Sequence, residues 1–182
     1  MRFPTLLILT AAAAVLTGCA PAVSIHPLYT SRELIADPAL VGTWADPEGD
    51  IWQVQKSGDG YDVTVLPTSG TPSTGPYNVH LLRLKDQEFV DVTAKSDSGL
   101  AIAAHMFAKV SLQGDELLVA LLDDDWLKKT VASGAAPSSV SGESGGQIVL
   151  TAPTADLQRF ITRHAVNPDA WDPGVSRLHR VH

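Results

Sequence analysis

The sequence predicts a mainly β fold: about eight antiparallel strands in up-and-down order, curled into a barrel, with an α-helix near the C-terminus. Three observations predict it. From Val41 onward apolar and polar residues alternate with a period of two, the pattern of strands with one buried and one wet face. Short polar turns separate the alternating runs, as hairpins require. Late in the chain, Leu157, Phe160, Ile161 and His164 recur at i, i+3, i+4 and i+7, the spacing of one helix face. Closure into a barrel removes the two unpaired hydrogen-bonding edges that an open sheet of this many strands would expose.

Ahead of this body lies a segment of a different kind. Met1 and Arg2 give a short positive start, and Leu6 to Leu16 form an apolar run broken only by Thr10. A membrane-spanning helix needs roughly 20 apolar residues, so the shorter run reads as the hydrophobic stretch of an export signal. Residues 19–38 follow as a tether, with Pro21, Pro27 and Pro38 and little periodicity, in which the apolar stretch Ile25-His26-Pro27-Leu28-Tyr29 can pack back onto the domain. A helical turn is expected over Ser31–Ile35, capped by Ser31.

The strands are read in order from Val41–Ala45. Trp52 and Val54 alternate with Gln53 and Gln55, and Tyr61, Val63 and Val65 with Asp62 and Thr64. The turn Ser57-Gly58-Asp59-Gly60 joins residues 50–56 to 61–66 as a hairpin. Pro67–Pro76 is a loop. Further strands are expected at Tyr77–Leu84, Glu88–Thr93, Ile102–Leu112 and Glu116–Leu122, joined by tight turns at 85–87 and 113–115. Gln147–Leu150 is the eighth. Leu117–Leu122 is apolar on both faces, which calls for cover by another element.

Asp123-Asp124-Asp125 precedes Trp126-Leu127-Lys128-Lys129, placing acid at the start and base in the next turn of a short helix. Metal binding is the sharper reading of the three aspartates, but no Gly or terminal Glu follows at calcium-loop spacing. Residues 133–146 read as a flexible Gly/Ala/Ser loop. Thr154 is expected to cap the helix through His164, and Asn167-Pro168 to open one more turn ending near Trp171.

Two resemblances add to this reading. Leu16-Thr17-Gly18-Cys19 resembles the lipobox of bacterial lipoproteins. That implies diacylglyceryl transfer to the Cys19 sulfur, cleavage between Gly18 and Cys19, and acylation of the new amino group. Several acyl chains anchor a protein stably where one does so only marginally. The domain plan is then 1–18 signal peptide, 19–38 lipidated N-terminus and tether, and 39–182 β domain with a C-terminal helix and tail. Anchoring through Cys19 places the protein in the bacterial envelope, facing the periplasm. Ala20 in place of Asp implies the outer membrane in a host with two membranes. The alternative, a secreted chain with a free Cys19, leaves an unpaired thiol in an oxidising compartment.

Gly42-Thr43-Trp44 resembles the Gly-x-Trp that opens lipocalin barrels, where the Trp packs across the closed end and the Gly lets the chain bend. A lipocalin-like plan would cover about 39–165. The chain departs from the central lipocalins in lacking Thr-Asp-Tyr at a later hairpin, and no arginine is assignable to the family's Trp-stacking position.

Composition bounds the function. The chain has 182 residues, 13 Lys+Arg against 20 Asp+Glu, and a net charge of −7, which offers no basic stripe for a nucleic-acid backbone. One cysteine excludes an intrachain disulfide and a thiolate cluster. Six histidines show no metal-ligand spacing, and His105 reads as a structural strand residue. Gly142-Glu143-Ser144-Gly145-Gly146 is superficially like a nucleophile elbow but has no strand before it. No catalytic residue, metal or cofactor is expected, and the chain reads as non-enzymatic.

Trp44, Trp52, Tyr61 and Val63 are the residues expected either to fill a small core or to wall a cavity for a small apolar or amphipathic ligand. An eight-stranded interior is wide enough for either outcome. The competing role is a filled domain that docks to an envelope protein, with Leu117–Leu122 and helix 154–164 as the places for an exposed apolar patch.

Overall fold

A computed structural model describes residues 21–70, 72–95, 102–141, 146–172 and 176–182. Its centre is a closed barrel of eight antiparallel strands. The first seven run in chain order: β2 (Gly42–Ala45), β3 (Ile51–Ser57), β4 (Gly60–Leu66), β5 (Thr74–Leu84), β6 (Gln87–Ala94), β7 (His105–Gln113) and β8 (Glu116–Leu121). Each pairs with the next. The eighth is β11 (Ser176–Arg180), which lies between β8 and β2 and closes the ring. The predicted fold class therefore holds, with helices α1 (Asp124–Ala132) and α2 (Thr154–His164) inserted before the last strand.

The closing strand is not the expected one. Gln147–Leu150 corresponds to β10 (Ile148–Leu150), which pairs parallel with the short β1 (Val23–Ser24) and antiparallel with β9 (Ser139–Ser141). Together they form a ribbon that joins the barrel only where Ser24 pairs with His105. β9 falls in the stretch read as a flexible loop; residues 142–145 of that loop lie outside the described residues. The polar tail beyond Trp171 supplies the barrel strand instead. Leu178 is its one buried residue, packed inside the barrel opposite Leu117.

β11 also seals one end of the barrel. Trp44 is fully buried there, its indole N–H donating to the Leu40 carbonyl at 2.9 Å. The Arg180 guanidinium lies 4.2 Å from the centre of the Trp44 ring, a cation–π contact. It donates to the carbonyls of Val41 (3.1 Å) and Ala39, and its Nε pairs with Asp115 at 3.2 Å. Arg180 is thus the arginine that stacks on Trp44, a pairing the sequence alone did not assign. Gly42 makes this possible: its φ is +143°, and a Cβ there would stand 2.7 Å from Arg180 Nη1. We expect Gly42→Ala to strain the backbone and push Arg180 off Trp44, costing about 1–3 kcal/mol. A thermal melt checks this; an unchanged melting temperature would contradict the packing.

Residues 25–40 are no free spacer. They run as a strap over the outer wall of β6 and β5 toward the sealed end. The Leu28 N–H donates to the buried Asp91 carboxyl at 2.7 Å, and Asp91 also bonds His105 Nδ1 at 2.7 Å. Leu34 bridges to Leu82, and the Ile35 N–H reaches the Leu81 carbonyl. Asp37 exchanges two bonds with the Tyr61 hydroxyl, its N–H donating and its carbonyl accepting. The expected helical turn over 31–35 is a plain turn, because the Glu33 carboxylate folds back onto the N–H and hydroxyl of Thr30.

The helices complete a second apolar core outside the barrel. Leu82, Phe89 and Phe107 point outward from the wall and meet Leu28, Leu127 and Leu157. Asp123 caps α1, accepting from the Trp126 N–H at 2.6 Å, which accounts for the aspartate run as expected. α2 begins without a side-chain cap; Thr154 donates its hydroxyl to the Pro27 carbonyl of the strap instead. Leu157, Phe160 and Ile161 bury the predicted face. Asn167 caps the following 3-10 turn, Pro168–Ala170. His164 stands against Trp126 and Phe160, each ring 4.9 Å away. Burial, with help from Arg163, holds its pKa below the ordinary histidine value.

Candidate functional site

The barrel is hollow. The inward residues of its strands enclose a chamber of about 410 Å³, within the range of small-ligand pockets. The alternation seen in the sequence accounts for its walls. Trp52 and Val54 from β3, and Tyr61, Val63 and Val65 from β4, all face it. Opposite them stand Val90 and Val92 from β6 with Met106, Ala108 and Val110 from β7. Valine dominates these positions, and its small volume, with that of Ala108, leaves the space unfilled.

The two ends differ. At the sealed end Leu40 lies over the chamber floor, above the Trp44–Arg180 stack, beside the tight β3–β4, β5–β6 and β7–β8 turns. At the other end the longer connections leave, and the lining becomes partly polar, with Thr74, Tyr77, Asp172 and Ser176. Leu121 is 40% exposed there although it lines the chamber, which marks that end as the mouth. The Asp172 N–H is held by the Leu121 carbonyl at 2.8 Å.

Of the four residues named from sequence, Trp52, Tyr61 and Val63 line the chamber, and Trp44 does not: it pairs with Trp52 in register and forms the seal. Trp52 is fixed by its indole N–H, which donates to Asp46 at 3.2 Å. Tyr61 is fixed by its two bonds to Asp37. Aromatic walls pinned at their polar edges present only apolar faces inward. Sequence reasoning missed Asp172 and Ser176 because both flank a segment read as tail.

Chemically, the chamber can hold an apolar body and meet a polar end at the mouth. Thr74, Tyr77, Asp172 and Ser176 are the polar residues among its lining. Among the described residues, Asp91 is buried and pairs with His105 on the outer wall beneath the strap, outside the chamber. Neither stretch named as a docking patch is an open apolar face. Leu117 lines the chamber, Leu122 is buried in the outer core, and the apolar face of α2 is covered. Cys19 and Gly18 lie outside the described residues.

Fold and chamber together define a class: a closed eight-stranded antiparallel barrel with an apolar interior. No family model, curated protein or solved structure matches the chain significantly.

Proposed function

We propose that the chain is a bacterial envelope lipoprotein, acylated at Cys19, whose lipocalin-like barrel holds one small apolar or amphipathic molecule without transforming it. The observation that carries the ligand reading is the apolar chamber of about 410 Å³. Burying apolar surface is worth roughly 25 cal/mol per Å², so a guest fitted to such walls binds by burial alone. Its polar end would face Thr74, Asp172 and Ser176. The Leu16–Cys19 motif supports the anchor. Among the described residues no helix is long and apolar enough to cross a membrane.

Two measurements test the two halves of this reading. Native mass spectrometry of protein purified from its own membrane should show a co-purifying mass that solvent extraction removes. Cys19→Ser should abolish acyl labelling and leave either an uncleaved precursor or a released domain. Unchanged labelling and fractionation in that mutant would falsify the anchor.

A further inference from the structure

A second concave site lies outside the barrel, between the strap, the β5–β6 turn and α2. Five cations converge on it: Arg32 from the strap, Arg83 from the end of β5, Lys85 from the turn, and Arg159 and Arg163 from α2. The whole chain has 13 Lys and Arg and a net charge of −7, so this groove runs against the sign of the molecule. Glu33 is its one lining carboxylate, and that group is committed to the N–H and hydroxyl of Thr30, both at 2.7 Å. Arg83 pairs with Glu88 at 2.6 Å, and Arg159 pairs with Asp156. Arg32, Lys85 and Arg163 have no ion pair among the described residues. Lys85 also sits at φ 52°, the one non-glycine described residue with positive φ, a conformation that costs an ordinary side chain roughly 1–2 kcal/mol.

We propose that this groove binds the phosphate-bearing headgroup of an anionic phospholipid and so orients the domain on the membrane. Four of the five cations are guanidinium groups, whose planar forks match phosphate oxygens. The inference rests on the anchor proposed above. Cys19 is two residues before Pro21, whose carbonyl is fixed by Gln147 Nε2 at 2.7 Å. Two residues span at most about 7 Å, so the acyl chains hold the body at headgroup level with no spacer. α2 follows β10 after three residues and is tied to the strap at Pro27, and the strap and α2 run from there along the outer wall to the groove beside the β5–β6 turn. The rest of the acidic surface is repelled by an anionic leaflet, and this face is attracted.

The test uses the acylated chain as isolated, in a neutral detergent, titrated with a short-chain phosphatidylglycerol and separately with the matching phosphatidylcholine. Intact mass of the same sample reads the acylation. We expect the anionic lipid to bind at least about tenfold tighter than the zwitterionic one, and Arg159→Gln with Arg163→Gln to weaken it by about tenfold at unchanged melting temperature. Raising NaCl from about 50 to about 500 mM should weaken it too. The pair Arg32→Gln and Lys85→Gln, on other elements, guards against a helix-specific folding defect. Equal affinity for the two lipids, or variants that bind like the parent chain, would overturn the proposal. So would saturation by a polyglutamate peptide with no response to the anionic lipid, which places an acidic protein there instead. An acylated chain that ignores the lipid sinks the groove and leaves the lipoprotein reading standing; an unacylated chain that binds it does the reverse.

Discussion

Removing residues 176–182 is expected to abolish cooperative folding, because it takes out the strand that makes the sheet a barrel. β8 and β2 would each lose a partner along the pairings of Ser176–His179 and His179–Arg180, leaving two open edges of the kind that drives aggregation. Leu178, 2% exposed, would no longer fill the space beside Leu117, and Trp44 would lose the cation stacked on it. Size-exclusion chromatography and the near-ultraviolet dichroism of the tryptophans report the outcome. A milder pair of variants grades the effect. Leu178→Ala should cost about 2–5 kcal/mol as a buried large-to-small change, and Arg180→Ala about 2 kcal/mol through the lost stack and hydrogen bonds. A truncated chain that melts like the whole one would show that the barrel does not need its last strand.

Asp91→Ala is expected to release the strap. Asp91 is 1% exposed on the outer wall, and its two carboxyl oxygens receive the Leu28 N–H and His105 Nδ1, both at 2.7 Å. Truncation would strand both buried donors, at a cost of about 3 kcal/mol. The loss should appear first in hydrogen exchange of residues 28–37, ahead of the barrel strands, since β5–β6 pairing does not pass through Asp91's side chain. The same segment should become a tryptic site at Arg32. Asp91→Asn, which keeps one acceptor, should cost less than half as much. Identical exchange in the strap of parent and Asp91→Ala chains would mean that Leu28, Tyr61 and Gln158 hold it without the aspartate.

These two sites also mark what could and could not be read in the residues themselves. β3 and β4 were legible because Trp52, Val54, Tyr61, Val63 and Val65 alternate with polar neighbours, and all five face the chamber. The outer face of β5–β7 hid a second core, since Leu82, Phe89 and Phe107 look like interruptions of alternation until helices cover them. β11 was illegible for a related reason. Ser-Arg-Leu-His-Arg carries one inward apolar residue, and its partners stand about 60 and 130 residues earlier. Arg180 could be assigned to Trp44 only once that strand was placed. The strap lacks any period because side chains from other elements hold its backbone: Asp91, Tyr61 and Gln158 reach Leu28 and Asp37. β10, though apolar, leaves the barrel because the chain departs from it after Leu121 into α1.

The chamber shows a different limit. Period two identifies which side chains point inward, and it did so for β3 and β4; the inward faces of the later strands were not assigned. Whether they fill the barrel depends on their summed volume against the width set by strand number and tilt. Small residues such as Ala108 and the valines of β4 and β6 settle it, and Trp44, expected as core or as cavity wall, forms the seal.

Titration of the delipidated, folded chain with an apolar naphthylamine fluorophore reaches the hollow interior most directly. One equivalent should enter, with Trp52 emission quenched by transfer to the probe, and Ala108→Phe with Val63→Phe should abolish uptake while the protein stays folded. Failure of the parent chain to take up the probe, or equal uptake by the filled variant, would contradict a barrel built to enclose a guest.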